Sequence, residues 1–233
     1  MGSLDGKVYL VTGGAGALAE AIAEVYTAEG AKLALIDRAA GRLDERAARF
    51  KALALTADLS APESCAAAVS DTLVHYGRLD GLIHTVGGFH WGRVHEAPPE
   101  IYERMFDLNV RTLYNMVRAV LPILLGQCDG FIAGISSMTA WRGGSPGTAL
   151  YTASKAAVTA FLRSLDPELQ GTDIRIAIAY PMGSIDTPAN RMETPDADPD
   201  GFIDPLEIAQ TLAFAASRGP RGRLLDLPIH PRR

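Results

Sequence analysis

Short apolar or β-branched runs alternate with alanine-rich stretches of helical period along the whole chain. The alternation predicts strands at KVYLVT (7–12), KLALID (32–37), ALALTA (52–57), LDGLIHTV (79–86), GFIAGIS (130–136), DIRIAIAY (173–180) and GRLLDLP (222–228), with helices filling the gaps. These runs are apolar along their length, as in strands covered on both faces, and the intervening helices suit right-handed crossovers. The pattern predicts an α/β chain with a doubly wound, parallel, seven-stranded sheet. No repeat or linker divides it, so residues 1–233 are expected to form one domain. One stretch breaks the rhythm. From Met182 to Ile203 the chain is rich in proline and acid with little apolar periodicity, and it reads as a long loop that closes over a site as a lid (182–203).

Composition narrows the function. Hydrophobic residues make up 48% of the 233 positions and charged ones 21%, with a net charge of -5 that argues against a nucleic acid as partner. The two cysteines, Cys65 and Cys128, lack metal-ligand spacing, which suits structural thiols in a reducing, cytoplasmic setting. No run of 18 apolar residues occurs, and the N-terminus enters the first strand without a basic region and long apolar segment. A soluble, unprocessed protein with no membrane partner is expected. His84, His90 and His95 fall close together without a helical ligand spacing, so no metal is expected.

Two stretches carry candidate chemistry. In LYTASKAAV, Tyr151 and Lys155 stand four apart, so on a helix they share a face, where an ammonium favours phenolate and brings tyrosine toward the range useful for proton transfer. An amphipathic helix with a snorkelling lysine is the plain alternative. In TGGAGALAEAIAEVYTAEGAKLALIDR, a glycine-rich turn leads into a helix and then a strand ending in Asp37. This order suits a dinucleotide: glycines admit the pyrophosphate, the helix N-terminus offers free amides, and the acid holds ribose hydroxyls while repelling a 2′-phosphate, so NAD is expected over NADP.

Together these motifs resemble the short-chain dehydrogenase/reductase family over nearly the whole chain, which implies a Rossmann fold. Thr12 and Gly13 match the start of its Thr-Gly-x-x-x-Gly-x-Gly turn, Asp58 and Leu59 its adenine-contacting acid and neighbour, Asn109 its helical asparagine, Ser137 its serine, and Tyr151 and Lys155 its Tyr-x-x-x-Lys. The resemblance implies a dinucleotide held by Thr12, Gly13, Gly16, Ala17, Leu18, Asp37, Asp58, Leu59, Gly87, Tyr151, Lys155, Pro181 and Thr187. It also implies a catalytic set of Asn109, Ser137, Tyr151 and Lys155, with Ser136 as the rival serine. Tyr151 would act as general acid or base while hydride moves to or from the nicotinamide. Lys155 would lower the tyrosine pKa and hold the nicotinamide ribose, Ser137 would hydrogen-bond the substrate oxygen, and Asn109 would support the proton's way out. The implied partners are a small alcohol or carbonyl substrate and further copies of the chain, as a homodimer or homotetramer.

The chain also departs from the family pattern. Ala17 and Ala19 stand where the second and third turn glycines are expected, and His84, Thr85, Val86 and Gly87 replace Asn-Asn-Ala-Gly. The interval from Ser137 to Tyr151 is one residue longer, Met182 separates Pro181 from Gly183, and the chain ends in DLPIHPRR in place of a glycine-rich tail. Two readings follow: an oxidoreductase acting on a secondary alcohol or ketone with NAD, and a non-catalytic dinucleotide sensor or scaffold that kept the fold. A dehydratase or epimerase is a third. Trp91 and Trp141 follow the fourth and fifth strands, where they line a pocket for an apolar or aromatic substrate or simply pack.

Overall fold

The strand period of two is visible in where β1 (Val8–Thr12) sends its side chains. Val8 and Leu10 enter one apolar cluster, Tyr9 and Val11 the other, and every residue of the strand is buried. The computed structural model describes residues 2–232. Six further strands pair with β1 in a single all-parallel sheet: β2 (Lys32–Asp37), β3 (Leu53–Thr56), β4 (Gly81–His84), β5 (Asp129–Ile135), β6 (Asp173–Pro181) and β7 (Asp226–Ile229), in the order β3-β2-β1-β4-β5-β6-β7.

Helices α1 (Ala17–Ala28), α2 (Ala40–Phe50) and α9 (Pro205–Ala216) supply one core, through Ile22, Leu43 and Leu212. Helices α3 (Pro62–Tyr76), α5 (Thr112–Gln127) and α7 (Ala149–Glu168) supply the other, through Val69, Met116 and Leu162. Both faces of the sheet are therefore covered, which is why its strands read as continuous apolar runs. The direction of winding reverses between β1 and β4, and the crevice at their C-terminal ends is where such sheets bind ligands.

Strands β4 and β7 fall furthest short of the apolar runs. Before β4, the Asp80 carboxylate accepts from the Val8 amide and from Arg78, and after it the Thr85 amide leaves the ladder for the Thr12 hydroxyl. Ahead of β7, residues Pro220–Gly222 form a 3₁₀ turn. The segment 182–203 is more than a loop. Thr187 caps α8 (Pro188–Glu193) by accepting from the Asn190 amide at 3.2 Å, Pro188 occupies its first position, and Ile185 bridges to the buried Ile203. A cap followed by proline is enough to start a short helix without an apolar period. The remaining helices are α4 (Pro99–Phe106), joined to α5 by a π-turn at Asp107–Arg111, and the short α6 (Met138–Arg142).

Candidate active site

The turn between β1 and α1 is built on conformation first. Gly13 has φ of +69°, and a Cβ there would lie 2.7 Å from the Thr85 hydroxyl, so only glycine fits. Gly14 donates to Ile36 O at 2.8 Å, and Gly16, exposed, donates to Gly13 O at 2.8 Å as the N-cap of α1. Neither Ala17 nor Ala19 has positive φ. Ala17 opens the helix and Ala19 lies wholly inside the core, so the two missing glycines leave the backbone unstrained. Leu18 packs against that core, while Thr12 is buried beneath the turn.

Charged groups hold the turn from outside. One Asp37 oxygen accepts from the Ala15 amide and the other from the Ala39 amide, both at 3.0 Å. The Arg46 guanidinium, from α2, donates to Gly14 O at 3.0 Å and Gly16 O at 2.7 Å while pairing with Glu20 at 2.7 Å. Arg46 has no place in the sequence reading, because its bonds cross some thirty residues and its only local signature is a basic residue on an amphipathic helix. Asp58 accepts from the Ser60 amide and hydroxyl, which hold its carboxyl below the usual range, and Arg38 adds to the effect. The neighbouring Leu59 is buried and its carbonyl accepts from Asn115.

The other half of the crevice gathers residues from four elements. Asn109 sits in the π-turn ahead of α5, a local widening common at functional sites. Its oxygen accepts from the Gly88 amide at 3.0 Å, and its nitrogen donates to Gly88 O at 3.1 Å and to the Ser154 hydroxyl at 2.9 Å. Gly87 stands so close that a Cβ would lie 2.7 Å from the Asn109 oxygen and 3.0 Å from Lys155 Nζ. A side chain at this position would therefore press on both Asn109 and Lys155. Ser137 caps α6, accepting from the Ala140 amide at 3.2 Å, its hydroxyl pairs with that of Thr139 at 2.9 Å, and it stands near enough to the Tyr151 phenol to lower its pKa. Ser136 points the other way, to the Thr159 hydroxyl at 2.8 Å, so the structure brings Ser137 and not its rival to the tyrosine. Pro181 ends β6, and Thr187 stands beyond it as the cap of α8.

The electrostatics differ from the expectation drawn from the Tyr-Lys spacing. Burial raises the Tyr151 pKa above its ordinary value, with the neighbouring Ser137 hydroxyl opposing. Lys155 is itself buried and donates to Ile135 O at 2.9 Å, and desolvation lowers it to about 8. The shared helical face is real. The ammonium, however, is turned to a backbone carbonyl, and loss of water around the phenol sets the direction of its shift.

His84 ties the two halves together. Its Nδ1 bonds Thr12 at 3.0 Å and its Nε2 bonds Thr112 of α5 at 3.2 Å, and burial followed by the Lys155 charge pushes its pKa down to about 3, so it is neutral. His95 is exposed beside Glu96, and among the described residues no cluster of three His, Cys, Asp or Glu could hold a metal. Burial raises Cys65 to about 11, and Cys128 is exposed. Trp141 leans on Tyr180, rings 4.7 Å apart, and Tyr180 in turn donates to Asp226 of β7. Phe89, which the sequence reading passed over, meets Tyr151 edge to face at 4.9 Å. Among the described residues no helix is long and apolar enough to cross a membrane.

Comparison with known proteins agrees with this geometry. Residues 7–198 match the family model described as short chain dehydrogenase. The oxidoreductase UcpA of Escherichia coli (strain K12) is 31% identical over 238 residues, covering 93% of this chain and 90% of that protein. Among solved structures, 3-ketoacyl-(acyl-carrier-protein) reductase from Brucella melitensis, complexed with NADH, superposes with a TM-score of 0.88 at 28% identity over 97% of this chain and 98% of that one. A metagenomic short-chain oxidoreductase in complex with NADP gives a TM-score of 0.85 at 25% identity over 99% of both.

Proposed function

The chain belongs to the short-chain dehydrogenase family and is an NAD(P)-dependent oxidoreductase; we propose that it interconverts a secondary alcohol and a ketone, with Tyr151 as general acid and base and NAD as its preferred coenzyme. The observation that carries this reading is the Tyr151 phenol with Ser137 next to it, one helical turn from a buried lysine that faces the Gly87 cradle.

The residues present fit a dinucleotide. Gly13 to Leu18 would meet the pyrophosphate, Asp37 the adenine ribose, Asp58 and Leu59 the adenine, and Gly87, Pro181, Thr187 and Lys155 the nicotinamide end. A bound nicotinamide supplies or accepts the hydride. In reduction Tyr151 gives its proton to the carbonyl oxygen, and burial suits this role because it keeps the phenol protonated until a charge arrives. Ser137 hydrogen-bonds that same oxygen as negative charge builds on it. The Lys155 ammonium, charged below about pH 8, is held on Ile135 O beside the Gly87 cradle, where it would meet the nicotinamide ribose. Asn109 has its amide committed to Gly88 and Ser154, so it acts by holding α7 and the Gly87 cradle in register and by keeping the proton's exit path open beside Lys155.

NAD is favoured because Asp37 ends β2 beside the turn, where a carboxylate accepts from ribose hydroxyls and repels a 2′-phosphate. The segment 182–203 is the proposed lid. Exposed Tyr114 and Leu125 on α5, with Phe161 of α7 beside Tyr114, support a face for a second copy, as a dimer or tetramer. The non-catalytic alternative rested on Ala17 and Ala19, and both occupy helical positions that any residue adopts. The test is a panel of ketones with NADH and NADPH, read as coenzyme oxidation. NADH-dependent reduction with a higher specificity constant than NADPH is expected. Saturable NADH binding without turnover on any ketone would favour the sensor, and a clear NADPH preference would refute the role given to Asp37.

A further inference from the structure

Building on that oxidoreductase reading, we infer that Phe89 and Trp91 form an aromatic wall beside Tyr151 that selects carbonyl substrates carrying an aryl or similarly large apolar substituent. The Phe89 ring meets the Tyr151 ring edge to face, centroids 4.9 Å apart and planes at 74°. A group attached to a carbonyl at the Tyr151 hydroxyl thus has an aromatic surface next to it. Neither wall residue is spent on the core: Phe89 is 47% exposed and Trp91 66%.

The backbone pays to keep them there. Asn109 grips Gly88 by both its amide and its carbonyl, so Phe89 leaves from a fixed point. At the far end Gly92 donates to Gly147 O at 2.8 Å, on the loop leading into α7. Gly147 has φ of +80°, and a Cβ on it would collide with the Trp91 indole, so glycine there lets the indole pack against that loop. Aromatic side chains have few rotors, and on a segment anchored at both ends they present apolar area with little ordering left to do on binding. The two segments that frame the wall, Gly87–Gly92 and Gly143–Gly147, contain no Lys, Arg, Asp or Glu. Trp141 lies apart, against Tyr180, and takes no part in the wall.

The experiment compares specificity constants for an aryl methyl ketone and for butanone, at saturating NADH, in the native chain and in Phe89→Ala, Trp91→Ala and Phe89→Tyr. The aryl-to-alkyl ratio is expected to favour the aryl ketone, to fall about tenfold in either alanine variant, and to be retained in Phe89→Tyr, which keeps the ring. A second readout needs no turnover. The chain has two tryptophans, so in Trp141→Phe the tryptophan emission comes from Trp91 alone, and the aryl ketone should quench it saturably where xylitol does not. Equal ratios in native and Phe89→Ala chains, with both ketones still reduced, would overturn the wall and leave the oxidoreductase reading intact. Saturable quenching without NADH oxidation would support the wall and overturn the oxidoreductase reading. Absence of both would overturn the wall.

Discussion

At the turn after β1 the holding groups are charged and near solvent: Arg46 spans two carbonyls, Glu20 braces it together with Arg49, and Asp37 accepts from two amides. Around Tyr151 they are neutral and buried: the Asn109 amide and the hydroxyls of Ser154 and Ser137. Lys155 is the single charge drawn into that second region, and it has a carbonyl partner. The contrast follows from what water does in each place. A charge at the rim keeps much of its hydration and gains from a partner, whereas inside the crevice every unmatched charge costs several kcal/mol, so neutral hydrogen bonds position the chemistry there. Salt should accordingly act on the cofactor half more than on the catalytic half.

The sharpest way to separate the halves is Tyr151→Phe. The ring and its contact with Phe89 remain, and only the proton donor is lost. Turnover of a ketone is expected to fall at least about a hundredfold, within the range for removal of a general acid, while NADH affinity stays within about threefold. Steady-state rates and a fluorescence titration on the same preparation measure both. A variant that turns over near the native rate would show that the acid is elsewhere.

Arg46→Ala tests the other half and is expected to do less. It leaves the Gly14 and Gly16 carbonyls without their guanidinium, and since these flank the amides proposed to face the pyrophosphate, NADH affinity should weaken by about three- to tenfold with kcat little changed. Arg46→Lys should recover only part, because a single ammonium cannot reproduce the planar fork. The difference between native and alanine chains should shrink as salt rises. Unchanged affinity at low salt would mean that the clamp steadies the fold without shaping the binding turn.

What the sequence discloses of these regions depends on how local each feature is. The central strands are legible because burial on both faces makes them nearly continuous apolar runs, and Asp37 is legible because a strand end fixes its place. Ends of strands are not, since β4 stops where the Thr85 amide finds the Thr12 hydroxyl, 73 residues away in the chain. The Tyr151 to Lys155 spacing announces a shared face, yet not that the ammonium turns to Ile135 O or that burial dominates the phenol. Ser136 and Ser137 are equivalent as neighbours in sequence and are separated only by the hydroxyl of Thr159. Helix α8 escaped the period-based reading because it is too short and exposed to show one, and only Thr187 and Pro188 mark its start. Arg46 and Phe89 act through contacts 30 and 62 residues distant along the chain, so no local pattern names them.

The smallest expected effect concerns the joint between the halves. His84 reaches Thr12 on β1 and Thr112 on α5, and burial lowers its pKa from 6.5 to about 3. At pH between these values the unfolded chain takes up a proton there and the folded chain does not, so stability falls as pH falls through that window and is unaffected by this group above it. The limiting slope is about 1.4 kcal/mol per pH unit. Between pH 6.5 and 5, above most carboxylate titration, His84 should account for a loss of roughly 1.5 kcal/mol. In His84→Asn that share of the slope should vanish, even though the variant is less stable at every pH for want of its two hydroxyl partners. Urea midpoints of both chains at pH 7, 6.5, 6, 5.5 and 5 measure the difference. Parallel curves would mean that the imidazole accepts its proton as readily in the folded chain as in the unfolded one, and that Thr12 and Thr112 are not joined by a neutral ring.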